Sequence, residues 1–212
     1  MTNHATLDTF TDTIALATCW LNKPASNDRL ACTLLVGAAT LVVSRRFGQL
    51  AFDLQAHSST VTDNPAGTIA WLAERLPVEP GRLLLWRAED IVVPSLLAAA
   101  ETARDMLAGA RLLRSMQHAF ADEVVDVAES HGGRQARSFD AVAHRHGLPF
   151  IAMTDDQLGD AHRTGCHGAI RDYLAGRAKA IWQLWLQTRA DGEAPRVMTE
   201  AWLESPEAEL RL

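Results

Sequence analysis

Residues 169–189, AIRDYLAGRAKAIWQLWLQTR, carry the strongest helix signal in the chain, and its other stretches are read outward from them. Ile170, Tyr173, Leu174, Ala178, Ile181, Leu184, Trp185 and Thr188 recur at steps of three and four, which places them on one face of an α-helix. Arg177 falls on that same stripe, between Leu174 and Ile181. A guanidinium turned toward a core is costly unless it meets a carboxylate, a phosphate or a cleft. Arg177 is therefore the most informative single residue of the helix.

Upstream, residues 122–150 read DEVVDVAESHGGRQARSFDAVAHRHGLPF. Val125-Asp126-Val127 puts an acid at the end of a short strand, and a helix of the form Ser-Phe-Asp-x-x-Ala-x-x-x-Gly-Leu-Pro follows from Ser138. After a polar connection comes Ile-Arg-Asp-Tyr at 170–173, which opens the long helix. In order and spacing this half of the chain resembles the predicted 3′–5′ exonucleases related to the proofreading domain of family-B DNA polymerases. The resemblance is clearest from about Leu83 onward. It implies a ribonuclease H-like fold, a mixed central sheet flanked by helices, and four acidic residues holding two metal ions.

The remaining elements fit that order. Residues 13–21 (TIALATCWL) suit either a buried strand or a helix beginning near Leu7, and periodicity does not choose between them. Residues 30–43 and 49–56 are predicted strands of a hairpin, split by the polar run 44–48. Asn64 as N-cap and Pro65 as first helical residue open a helix through Leu76, stopped by Pro77. Residues 83–86 (LLLW) suit a buried parallel strand. Pro94 opens a further helix, expected to break near Gly109. The expected organisation is a polar segment (1–12), one α/β domain (13–189), and a C-terminal linker with a short helix or tail (190–212).

Composition narrows the function. Hydrophobic residues make up 48% of 212, enough for one good core, and the net charge is −6. That balance argues against a protein living on nonspecific phosphate contacts, which need a basic face. It does not exclude a metal nuclease. The longest apolar run, 31–43, is too short to span a bilayer, and no secretory signal is visible at the start. Cys19, Cys32 and Cys166 cannot all pair internally, which points to free thiols in a reducing cytoplasm.

Laid on this chain, the resemblance puts the first-strand Asp-x-Glu at Ala17 and Cys19. The second-motif Asp falls on Val92, and the last-helix Asp on Arg177. Two-metal hydrolysis needs acidic oxygens around ions about 3.5–4 Å apart, and on this alignment all four ligands are replaced. The resemblance then implies a catalytically degenerate exonuclease, expected to need no cofactor. Such a chain would act as a module binding single-stranded nucleic acid or a protein. Arg177, Tyr173 and Arg87 are the candidate nucleic-acid contacts. Arg177 could equally pair with Asp126 or another carboxylate and close an empty cleft.

A second register keeps an active enzyme using Mg²⁺ or Mn²⁺. His167 and Asp172 have the spacing of a general base and a metal ligand, with Glu89, Asp90 and Asp126 as further carboxylates. Asp53 or Asp12 would stand in on the first strand. A third reading is a purely structural partner subunit. His162, Cys166 and His167 are spaced for a zinc site but lack a fourth ligand, and ordinary helix-start residues explain them better. Trp182 and Trp185 suit the core or a homodimer contact more than base stacking, and Arg111, Arg114, Arg134 and Arg137 suit a solvated face.

Overall fold

A computed structural model describes residues 12–23, 32–60, 65–76, 81–103, 105–122, 124–190 and 192–208. It is a mixed α/β arrangement. A five-stranded sheet is formed by β1 (Thr13–Lys23), β2 (Cys32–Arg46), β3 (Gln49–Ser58), β4 (Arg82–Leu85) and β5 (Val124–Asp126), in the order β3-β2-β1-β4-β5. The first three strands form an antiparallel meander, and β4 and β5 run parallel to β1.

Residues 13–21, open to two readings in the sequence, form the central strand. Both faces of β1 are covered, so its run is apolar but for two buried threonines and hides the period of two. Ile14 and Leu16 point to one core, and Ala15, Ala17 and Cys19 to the other. The first core holds α1 (Ala66–Arg75), α2 (Val93–Thr102) and α3 (Met106–Asp122). The second is dominated by α6 (His167–Gln187), with α4 (Phe139–Arg145), α5 (Asp155–Thr164) and α7 (Glu193–Leu203) around it. Small side chains on β1 let α6 approach closely. At Gly37 on β2 a Cβ would come within 2.8 Å of the Leu174 side chain and 2.7 Å of the His57 carbonyl.

Two expectations are corrected. The hairpin strands run through Arg46, and the turn is only Phe47-Gly48, both with positive φ (51° and 82°). The first helix ends at Thr102 and the next begins at Met106, so the break precedes Gly109 rather than falling at it. The Asp105 carboxylate accepts the amides of Leu107 and Ala108, a side-chain cap that starts α3. Gly109 sits inside α3, where a Cβ would lie 3.1 Å from the Ala100 carbonyl, so it serves the packing of α3 on α2. Pro65 precedes α1, while Asn64 and Pro77 lie outside the described residues.

The polar connection at 151–166 holds α5, opened by a reciprocal cap between Thr154 and Gln157. After Arg189, α7 docks on the sheet side of α6, with Trp202 stacked on Phe52 at 4.5 Å. No helix among the described residues is long and apolar enough to cross a membrane.

Candidate functional site

β4 pairs with β1 only at Thr13 to Ala15, so the carboxyl half of β1 continues past its neighbour. Where β4 runs out, a cleft of about 90 Å³ opens, lined by Leu16, Ala17, Thr18, Trp20, Trp86, Ile91, Val92, Arg177 and Ile181. Three of the four positions singled out by the resemblance, Ala17, Val92 and Arg177, are in that lining. The fourth, Cys19, lies two residues along β1 on the face of Ala17 and close enough to Arg177 to feel its charge.

The chemistry at these positions is not acidic. Ala17 and Val92 offer only methyl groups. Cys19 is buried, and burial pushes its thiol up to about 12, with the Arg177 charge pulling weakly the other way. The thiol therefore stays protonated near neutral pH and is no anionic ligand. Arg177 is the one charged side chain in the lining.

Arg177 is held from several sides. Its Nη1 donates to the Tyr173 hydroxyl at 2.6 Å and reaches Asp140 Oδ1 at 3.4 Å. Its guanidinium carbon sits 4.3 Å from the centroid of the Phe139 ring and 5.4 Å from that of Tyr173. Arg177 thus pairs with Asp140 and not with Asp126. Its Nε is buried with no acceptor among the described residues, so the guanidinium is incompletely satisfied. Burial is the main influence on Tyr173 and raises its pKa, against the pull of Arg177.

The acidic candidates lie elsewhere. Asp126 ends β5 with its carboxylate filled by backbone amides. Oδ1 accepts from Arg87 and Ala128, Oδ2 from Ala88, all at 2.9 Å. These bonds hold Arg87 in the left-handed region (φ 56°), unusual for a side-chain-bearing residue. The side chain of Arg87 turns to Asp90 at 3.6 Å, and Asp90 is also met by Arg134 at 3.1 Å. Glu89 is exposed on the π-helical turn Ala88–Val92 that leads into α2. Asp172 is exposed on α6, and His167 begins that helix with its carbonyl facing the Ser58 hydroxyl. Among the described residues, no three His, Cys, Asp or Glu side chains gather to hold a metal ion.

Other candidates sort themselves by burial. Trp182 is fully buried, with Trp185 nearly so beside it at 5.1 Å. His162 is buried rather than at the surface, while Cys166 is exposed. Arg111, Arg114, Arg134 and Arg137 are exposed. The aromatic walls Trp20 and Trp86 escape a reading of the sequence. Both follow apolar strand runs that look like ordinary core, and only the shortness of β4 opens the space between them.

No protein-family model matches the chain, and no curated protein or solved structure matches it.

Proposed function

We propose that the chain is a catalytically degenerate relative of the ribonuclease H-like 3′–5′ exonucleases that binds single-stranded nucleic acid at the Arg177 cleft. The element order supports the fold part of this reading. A hairpin, a helix, a strand, helices and then a long helix are what the resemblance requires, and β2–β3, α1, β4, α2–α3 and α6 follow in that order.

One observation carries the functional part. Positions 17, 92 and 177 come from three distant parts of the chain, yet they border one cleft, where an incompletely satisfied guanidinium stands among apolar walls. Divalent ions such as Mg²⁺ need several oxygen ligands, and this lining has no carboxylate to give. A guanidinium can attract a phosphate by charge and hydrogen bonding, but it does not activate a water as a bound metal ion does. Trp20, half-buried, supplies flat apolar surface beside it, the partner chemistry for a base, while Trp86 is buried behind the cleft against Phe139. Recognition without hydrolysis follows from that combination.

The test is calorimetric titration with Mg²⁺ and Mn²⁺, then incubation with a 5′-labelled single-stranded oligonucleotide. The expected result is no specific heat of metal binding and no shortening of the oligonucleotide. Tight divalent binding with stepwise shortening, abolished in Asp172→Ala, would overturn the reading in favour of an active enzyme.

A further inference from the structure

The tip of the β2–β3 hairpin is unlike the rest of the surface. Residues 45–49 are all exposed, and the Phe47 ring is fully so, at 106% relative accessibility. Phe47 and Gly48 form a two-residue turn with positive φ at both positions. Turns of that kind favour Asn, Asp or Gly at the first position, because a larger side chain is strained there. Phe47 thus takes on backbone strain and buries nothing in return. Strain without a packing reason points to a role outside the fold.

The neighbours of Phe47 say what kind of role. Arg45 and Arg46 are exposed and meet no carboxylate among the described residues, on a protein of net charge −6. Successive residues of a strand point to opposite faces, so Arg45 and Arg46 leave the ribbon on opposite sides, next to Phe47 in the chain. An accessible aromatic ring beside two cations that meet no carboxylate among the described residues is the chemistry that stacks a base and meets the phosphates next to it. A membrane surface fits less well, because a single aromatic and two charges give only marginal, reversible attachment.

We propose that the Arg45-Arg46-Phe47 tip is a second contact for single-stranded nucleic acid, distinct from the cleft. The choice of polymer rests on the nucleic-acid reading of the cleft, while the site itself rests on the tip alone. The register separates the two places. Ala17 pairs with Ala39, and Arg46 lies seven residues further along β2, about 23 Å at the rise of a strand. An oligonucleotide long enough to reach both gains affinity by making the second contact intramolecular.

Fluorescence anisotropy with a fluorescein-labelled oligothymidylate of about twenty nucleotides, beyond the usual single-site length, tests this. Phe47→Asn suits the turn and is expected to leave the melting temperature unchanged or higher. Its affinity is expected to fall by about tenfold through the lost stack. The double variant Arg45→Ala/Arg46→Ala is expected to flatten the slope of log affinity against log salt by about 1.4. Variants that bind as the unmodified protein does would overturn the proposal, as would binding to phosphatidylserine vesicles or duplex DNA but not to the oligonucleotide. Loss in Phe47→Asn with no effect of Arg177→Ala would keep the tip and sink the cleft. The reverse pattern would sink the tip and keep the cleft.

Discussion

Asp126→Ala is expected to lower the free energy of unfolding by about 3 kcal/mol or more, measured as a fall in the urea midpoint at constant slope. The variant leaves three backbone amides, those of Arg87, Ala88 and Ala128, without their acceptor. Each unsatisfied buried donor costs about 1–3 kcal/mol, reduced where water can reach it. The Arg87 backbone would also lose the bonds that hold it in the left-handed region, and the start of the π-helical turn would loosen with it. Asp126→Asn should lose about half as much, because its amide nitrogen must face the Ala88 donor while its oxygen keeps the others. An unchanged midpoint in Asp126→Ala would mean that the carboxylate is free for other work. The chemical consequence is direct: a carboxylate that accepts from three backbone amides acts as a scaffold element.

Trp182→Ala should cost about 3–5 kcal/mol, the range for removing a large aromatic from a core. Trp182 is fully buried in α6, and its Nε1 donates to the Thr199 hydroxyl at 3.0 Å. That hydroxyl in turn donates to the Pro195 carbonyl at 2.7 Å. The indole therefore fills the interior and ties α7 to α6 through one polar link. Trp182→Phe should cost less, about 1–3 kcal/mol, by removing part of the volume and the link together. Chemical denaturation of the two variants checks the order. A Trp182→Ala variant as stable as the unmodified protein would show that α7 and α6 do not share a core.

Elements whose signals are local were legible in the sequence. The stripe of α6, the apolar run of β4 and the two strands of the hairpin each follow from spacing within a dozen or so residues. β1 was not, because a strand buried on both faces carries no alternation to distinguish it from a helix. The cap at Asp105 and the reciprocal cap of Thr154 and Gln157 were present as signals, and either would have placed a helix start correctly.

The site divides along the same line. Arg177 stood out because one charge interrupted a local apolar stripe. Its partner, Asp140, lies 37 residues away on α4, and nothing in the spacing of the chain joins them. The role of Asp126 was equally hidden, since it depends on amides 38 and 39 residues upstream and on a left-handed Arg87. Pairings between distant segments are set by the packing of layers, which pattern within a segment does not encode.

The most direct measurement is the affinity of a fluorescein-labelled single-stranded oligonucleotide for the unmodified protein, Arg177→Ala and Asp140→Asn, at constant salt. Asp140 competes with any phosphate for the Arg177 guanidinium, so the two substitutions should act in opposite directions. Arg177→Ala is expected to weaken binding about tenfold, as loss of a charge-assisted hydrogen bond does. Asp140→Asn is expected to tighten it about threefold, as release of a partly buried ion pair would. Affinities that ignore both substitutions, or that fall in both, would contradict a nucleic-acid site at the Arg177 cleft.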